Sequence, residues 1–259
     1  MSQEKVWIGS NLKMYKTRIE TLDYLISLGE LTREIPRDAL ELFILPSYLA
    51  LQDSVKEAAP YHIKIGAQNV HWAEEGQFTG EISVSMLKDI GVDLVMIGHA
   101  ERRQVFFETD KMVNQRTLVA LNNGLQVLIC VGDTPEDKAF GISEERLVEQ
   151  LKTALNGVPE ENLSKIWVAY EPVWAIGESG QAASPEFANL MQARMHSVLR
   201  ELYPHKGPSV PILYGGSVNT GNAAELIIQP EIDGLFVGRA AWDADDFLKL
   251  IEIALQNDN

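Results

Sequence analysis

The sequence predicts an α/β fold, a closed (β/α)8 barrel of parallel strands, from three observations. Eight short apolar, β-branched-rich runs recur along the chain, each is followed by a stretch with helical periodicity, and the unusual polar residues gather just after the runs. The runs are residues 6–10, 41–45, 62–68, 93–98, 126–131, 166–171, 211–215 and 233–238. The intervening amphipathic stretches include residues 143–155 and 185–202, the latter with Ser184 at an N-cap and Pro185 at the first helical position. Continuous apolar strands joined by right-handed crossovers close most economically into a barrel. An open doubly wound sheet is the rival, but it offers a glycine-rich fingerprint after its first strand, and Gly9-Ser10-Asn11-Leu12-Lys13 is not one. At 259 residues and 46% apolar content the chain suits one barrel domain over residues 1–259.

Composition narrows the function classes. A formal net charge of −15 argues against nucleic acid or an anionic membrane as partner, because both need a basic footprint. No apolar run is long enough for a membrane span, and Met1-Ser2-Gln3-Glu4-Lys5 leads into the first strand without a signal-peptide core, so a cytoplasmic protein is expected. The single cysteine, Cys130, lies inside an apolar run and reads as a buried thiol. No cysteine–histidine or carboxylate spacing suggests a metal site, and no cofactor is expected.

Glu171 ends the otherwise apolar run Ile166-Trp167-Val168-Ala169-Tyr170, where a carboxylate is expensive unless used or paired. The segment after it, Pro172-Val173-Trp174-Ala175-Ile176-Gly177, is too apolar for a solvated loop and reads as a lid, with Gly177 and Gly180 as its glycines. A structural carboxylate beside a packing loop is the plainer reading. A lone histidine at a strand end is more often structural than catalytic, but His99 stands where the fourth strand gives way to a helix start, where positive potential suits a neutral ring that donates to a carbonyl. Asn11 and Lys13 follow the first strand, and by spacing alone Lys13 could equally be a solvated lysine. Tyr214-Gly215-Gly216-Ser217 and Gly238-Arg239 follow strands seven and eight, where barrels cradle phosphate and glycines admit close backbone approach.

These segments resemble triosephosphate isomerase along nearly the whole chain. The likeness is carried by Asn11-Leu12-Lys13-Met14, Gly66-Ala67-Gln68-Asn69, Phe78-Thr79-Gly80-Glu81-Ile82-Ser83, Gly98-His99-Ala100-Glu101-Arg102-Arg103, Tyr170-Glu171-Pro172-Val173-Trp174-Ala175-Ile176-Gly177 and Tyr214-Gly215-Gly216-Ser217-Val218. The resemblance implies Glu171 as catalytic base, His99 as the electrophile, and Lys13 and Asn11 as substrate contacts. It further implies phosphate binding at Gly177, Ser217 and Gly238, with Arg239 beside them, and a lid of Pro172, Val173, Trp174, Ala175 and Ile176 latched by Tyr214 and Ser217. Residues 69–81 match the loop that enters a partner subunit in the family, implying a homodimer with Thr79 near the partner's site; Trp72 and Phe78 would otherwise be an unusual exposed pair. A loop folded over its own barrel is the other possibility.

The chain departs from the common pattern at Leu12 (usually tryptophan), Ala100 (serine), Phe107 (glycine), Lys138 (arginine) and Arg239 (glycine), and its lid is one residue longer. His71-Trp72-Ala73, Ile176-Gly177-Glu178-Ser179-Gly180 and Gly238-Arg239-Ala240-Ala241-Trp242 look more like a bacterial side branch that isomerises tetrulose phosphates in erythritol breakdown. The first expectation is an aldose–ketose isomerase of a small phosphorylated sugar, dihydroxyacetone phosphate and glyceraldehyde 3-phosphate, with a four-carbon erythrulose phosphate as the alternative. A silent sugar-phosphate sensor is the rival from another class, but a sensor has no need of a base. Ala100 lacks the hydroxyl that contacts the base in the family, which leaves the resting place of Glu171 open.

Overall fold

Eight parallel strands pair in chain order and the eighth returns to the first, closing the barrel. This is a computed structural model, and it describes residues 5–177 and 182–256. Residues Met1, Ser2, Gln3 and Glu4, read above for a leader, and Glu178, Ser179 and Gly180 of the lid lie outside the described residues. The strands are β1 (Val6–Asn11), β2 (Leu40–Leu45), β3 (Lys64–Ala67), β4 (Leu94–Ile97), β5 (Gln126–Val131), β6 (Ile166–Tyr170), β7 (Ile212–Tyr214) and β8 (Gly234–Val237). Around them lie α1 (Arg18–Leu31), α2 (Tyr48–Ala58), α3 (Val84–Asp89), α4 (Ala100–Val105), α5 (Asp110–Asn122), α6 (Pro135–Phe140), α7 (Ser143–Ala154), α8 (Pro185–Leu202), α9 (Ala223–Ile227) and α10 (Ala244–Gln256). Among the described residues no helix is long and apolar enough to cross a membrane.

Burial on both faces explains why the strands read as continuous apolar runs. Along β5, Val127, Ile129 and Val131 pack against the helical layer, while Leu128 and Cys130 point into the barrel. The barrel interior is filled rather than hollow: Phe43 meets Trp167 at 5.2 Å and Phe236 at 5.8 Å between ring centroids. Helix α8 has the predicted bounds, and Ser184 Oγ accepts from the Phe187 N–H as its cap.

The strands differ from their predicted ends for local reasons. His62 adopts left-handed backbone (φ 53°) after a 3-10 turn over Ala59–Tyr61, so β3 starts at Lys64 rather than at residue 62. Asp93 and Asp233 stand just before β4 and β8 and use their carboxylates to accept from the N–H groups of Ile65 and Ile212 on neighbouring strands. Asn11 belongs to β1 rather than following it, whereas Glu171 lies one residue past β6. Glu171 still extends the sheet, because its N–H donates to the Val131 carbonyl at 2.7 Å. Phe107, at a position where the family usually has glycine, holds left-handed backbone (φ 56°) and is 81% exposed.

Candidate active site

At the C-terminal rim a cavity of about 560 Å³ brings together Asn11, Lys13, His99, Glu171, Ala175, Ile176, Gly177, Gly215, Gly216, Ser217, Gly238 and Arg239. These residues come from the ends of β1, β4, β6, β7 and β8, the face on which barrels keep their chemistry. Pro172, Val173, Trp174, Tyr214 and Thr79 do not line it.

Glu171 is 2% exposed. Its Oε2 accepts from the Ala100 N–H at 2.9 Å, and its Oε1 lies 3.5 Å from His99 Nε2. The missing serine hydroxyl is thus replaced by a backbone donor of the same residue, which gives the carboxylate a defined resting place. Gly132 makes room for this strand end: a Cβ there would stand 1.9 Å from the Glu171 carbonyl oxygen.

His99 is the N-cap of α4, and its Nδ1 accepts from the Glu101 N–H at 3.1 Å. An accepting Nδ1 carries no proton, so the ring of this tautomer bears its proton on Nε2, the atom beside Glu171. The geometry leaves a donor facing the cavity next to a carboxylate. Lys13 stands in left-handed backbone (φ 52°), held by its N–H on Asn11 Oδ1 at 2.8 Å and by Gln68 Nε2 on its carbonyl at 2.8 Å. Such a conformation costs about 1–3 kcal/mol and persists only where its surroundings fix it. The Lys13 ammonium pairs with Glu101, which also supplies the N–H to His99. The neighbouring arginines are salt-bridged: Arg102 pairs with buried Glu108, and Arg103 with Asp110, its guanidinium also donating to the Gly98 carbonyl.

The segment after β6, the expected lid, is tied at its start to a residue that the sequence reading passed over. Asp133 is fully buried and accepts from Tyr170 Oη (2.9 Å), Ser143 Oγ (2.7 Å) and Trp174 Nε1 (2.9 Å), while its carbonyl accepts from the Val173 N–H. Lys138 places its ammonium 3.3 Å from the Trp174 ring centroid. Just before α8, the Ala183 N–H donates to Tyr214 Oη at 3.3 Å, and burial pushes the pKa of the Tyr214 hydroxyl up to about 12. Two further cavity residues were also missed: Tyr15 and Trp242 pack together, tilted by 39° with ring centroids 4.3 Å apart. An unexpected aromatic after each of two rim strands is the signal that could have found them.

Residues 69–81 fold differently from the expected exposed pair. His71, 4% exposed, packs against Trp72 and Phe78 with ring centroids 4.1 and 4.0 Å away, and Trp72 is half-buried under the Arg116 guanidinium. Phe78, 42% exposed, and Thr79 remain at the surface.

Residues 6–254 match the protein-family model for triosephosphate isomerase. Curated relatives include an L-erythrulose-1-phosphate isomerase of Mesorhizobium japonicum, 44% identical over 95% of both chains. Proteins of the same name from Rhizobium etli (42% identical, over 95% of this chain and 91% of the relative) and Mycolicibacterium smegmatis (38%, over 96% and 93%) are similar along most of their length. With a closed eight-stranded barrel, a carboxylate and an imidazole meeting at its rim, and a match covering nearly every residue, the chain belongs to the triosephosphate isomerase family, isomerases of phosphorylated sugars.

Proposed function

We propose that the protein isomerises a four-carbon ketose phosphate, an erythrulose 1-phosphate, by proton transfer through an enediolate. The single observation that supports the chemistry is the meeting of the buried Glu171 carboxylate with the Nε2 of His99, whose other nitrogen is occupied by a backbone N–H. Glu171 removes the proton beside the carbonyl, while His99, Lys13 and the Asn11 amide stabilise the oxygen on which charge builds. Gly177, Ser217 and Gly238 hold the phosphate with Arg239 beside them, and Pro172, Val173, Trp174, Ala175 and Ile176 close over the site against Tyr214. In a 1-phosphorylated 2-ketotetrose the only free carbinol carbon next to the carbonyl is C3. The proton therefore leaves C3 and returns to C2, and the carbonyl moves from C2 to C3.

The relatives favour this four-carbon alternative over the triose phosphates expected first, because three of them at 38–44% identity carry the erythrulose name. Parallel measurement of kcat/KM on dihydroxyacetone phosphate and L-erythrulose 1-phosphate tests the choice. We expect the larger value for the four-carbon substrate; inert tetrulose phosphate beside triose turnover near the limit of about 10⁸–10⁹ M⁻¹s⁻¹ would reverse it.

A cytoplasmic homodimer completes the reading. Met14, Leu49, Phe78, Met86, Val105 and Phe106, on the segments after β1 to β4, are all 42–94% exposed, an apolar display that a second copy would cover. Light scattering should give a dimer mass, with Thr79 beside the partner's site; a fully active monomer would exclude it.

A further inference from the structure

The rim holds an aromatic contact that the proposed chemistry leaves unused. Tyr15 sits between two non-glycine residues with left-handed backbone, Lys13 (φ 52°) and Lys16 (φ 61°), so the loop after β1 makes a tight double reversal and delivers its ring to Trp242. Trp242, in the turn after β8, donates its indole N–H to the Asn11 carbonyl at 2.9 Å. A second tie holds the turn after β8 from α1, because Tyr24 Oη donates to the Ala241 carbonyl at 2.7 Å. Both rings line the cavity beside Lys13. Around the barrel they stand at β8 and β1, two and three strands on from β6, so the rings and Glu171 line one cavity from different sides.

The geometry points to Tyr15 and Trp242 as specificity-determining residues: an aromatic wall against which the carbon skeleton of the substrate packs, selecting four-carbon over three-carbon sugar phosphates. The inference rests on the tetrulose-phosphate reading above. Rings suit this task because they present flat apolar area at low entropic cost, and their faces contact the C–H groups of a hydroxylated chain without competing for its hydroxyls. One additional carbon in an apolar pocket is worth about 10–200-fold in kcat/KM. The anchoring of Trp242 to Asn11 fixes the wall relative to Lys13, so contact with the skeleton and placement of the carbonyl are set together.

The test compares kcat/KM for L-erythrulose 1-phosphate and dihydroxyacetone phosphate in wild type, Tyr15→Ala and Tyr15→Phe, with inorganic phosphate as a competitive inhibitor. Tyr15 is 55% exposed, so its truncation leaves the fold in place. We expect Tyr15→Ala to lower the four-carbon to three-carbon ratio about tenfold or more, Tyr15→Phe to restore it, and phosphate inhibition to stay at the wild-type level in both. An unchanged ratio in Tyr15→Ala, or a loss of phosphate inhibition in step with activity, overturns the wall. Wild-type enzyme that turns over only the triose phosphate overturns the substrate reading and the wall with it; wild-type preference for the tetrulose that survives Tyr15→Ala overturns the wall alone.

Discussion

Replacing Asp133 by alanine should destabilise the protein and loosen the start of the lid together. The carboxylate is fully buried and receives three donors, from Tyr170, Ser143 and Trp174. Alanine leaves all three without their acceptor. Trp174 is half-buried and can turn its indole N–H to water, but Tyr170 (0% exposed) and Ser143 (7%) cannot. Each buried donor left unsatisfied costs about 1–3 kcal/mol, so the two together cost about 2–6 kcal/mol. For a domain of this size that is a fall in Tm of about 2–4 °C per kcal/mol. Asparagine is milder: its amide can face the Tyr170 hydroxyl, which rotates to accept, while its oxygen keeps Ser143 and Trp174. Urea titration followed by tryptophan fluorescence measures both variants. A loss below about 0.5 kcal/mol in Asp133→Ala, the range of an ordinary surface change, would refute the claim that Asp133 anchors β6 and the lid.

Lys13→Met removes one of the two cations, Lys13 and Arg239, that line the cavity of a protein with net charge −15; kcat/KM and the affinity for phosphorylated inhibitors should fall together, activity by about 10²–10³-fold, and unchanged inhibitor affinity would make Lys13 a surface residue. Phe107→Gly should leave stability unchanged or raise it by up to about 1 kcal/mol, since relief of left-handed strain of about 1–2 kcal/mol outweighs the extra entropy of glycine; clear destabilisation by thermal melt would contradict this. Burial pushes the Cys130 thiol and the Tyr170 and Tyr214 hydroxyls up, so each is neutral in the fold where the unfolded chain would ionise. The unfolded state then binds fewer protons, and stability should decline as pH rises past about 8.5–10; a flat urea midpoint across that window would count against it.

The fold was legible because a barrel strand buries both faces, and an uninterrupted apolar run of 4 to 6 residues reports that directly, as β5 and β6 do. Glu171 was legible for the same reason, a lone carboxylate closing such a run. Strand ends were less so: Asp93 and Asp233 act through hydrogen bonds to neighbouring strands, and His62 turns the chain by a left-handed residue that no local pattern announces. Asp133 was invisible because its partners lie 10, 37 and 41 residues away and come together only when β6, α7 and the lid pack around it. Its local setting, next to Thr134 at the N-cap of α6, reads as an ordinary helix start. Trp72 misled in the opposite direction, since a tryptophan in a polar loop reads as exposed until His71 and Arg116 are seen to cover it. Tyr15 and Trp242 stand near opposite ends of the chain, and only closure of β8 on β1 makes them neighbours.

The central claim is that Glu171 transfers a proton between adjacent carbons, and isomerisation of L-erythrulose 1-phosphate in D₂O followed by NMR tests it most directly. A base that exchanges its proton with solvent while the enediolate waits delivers deuterium to the carbon that becomes the new carbinol. Wild-type product should therefore carry deuterium there, and Glu171→Gln should lose turnover and incorporation together, by about 10²–10⁴-fold. Undiminished turnover and incorporation by Glu171→Gln would contradict the account.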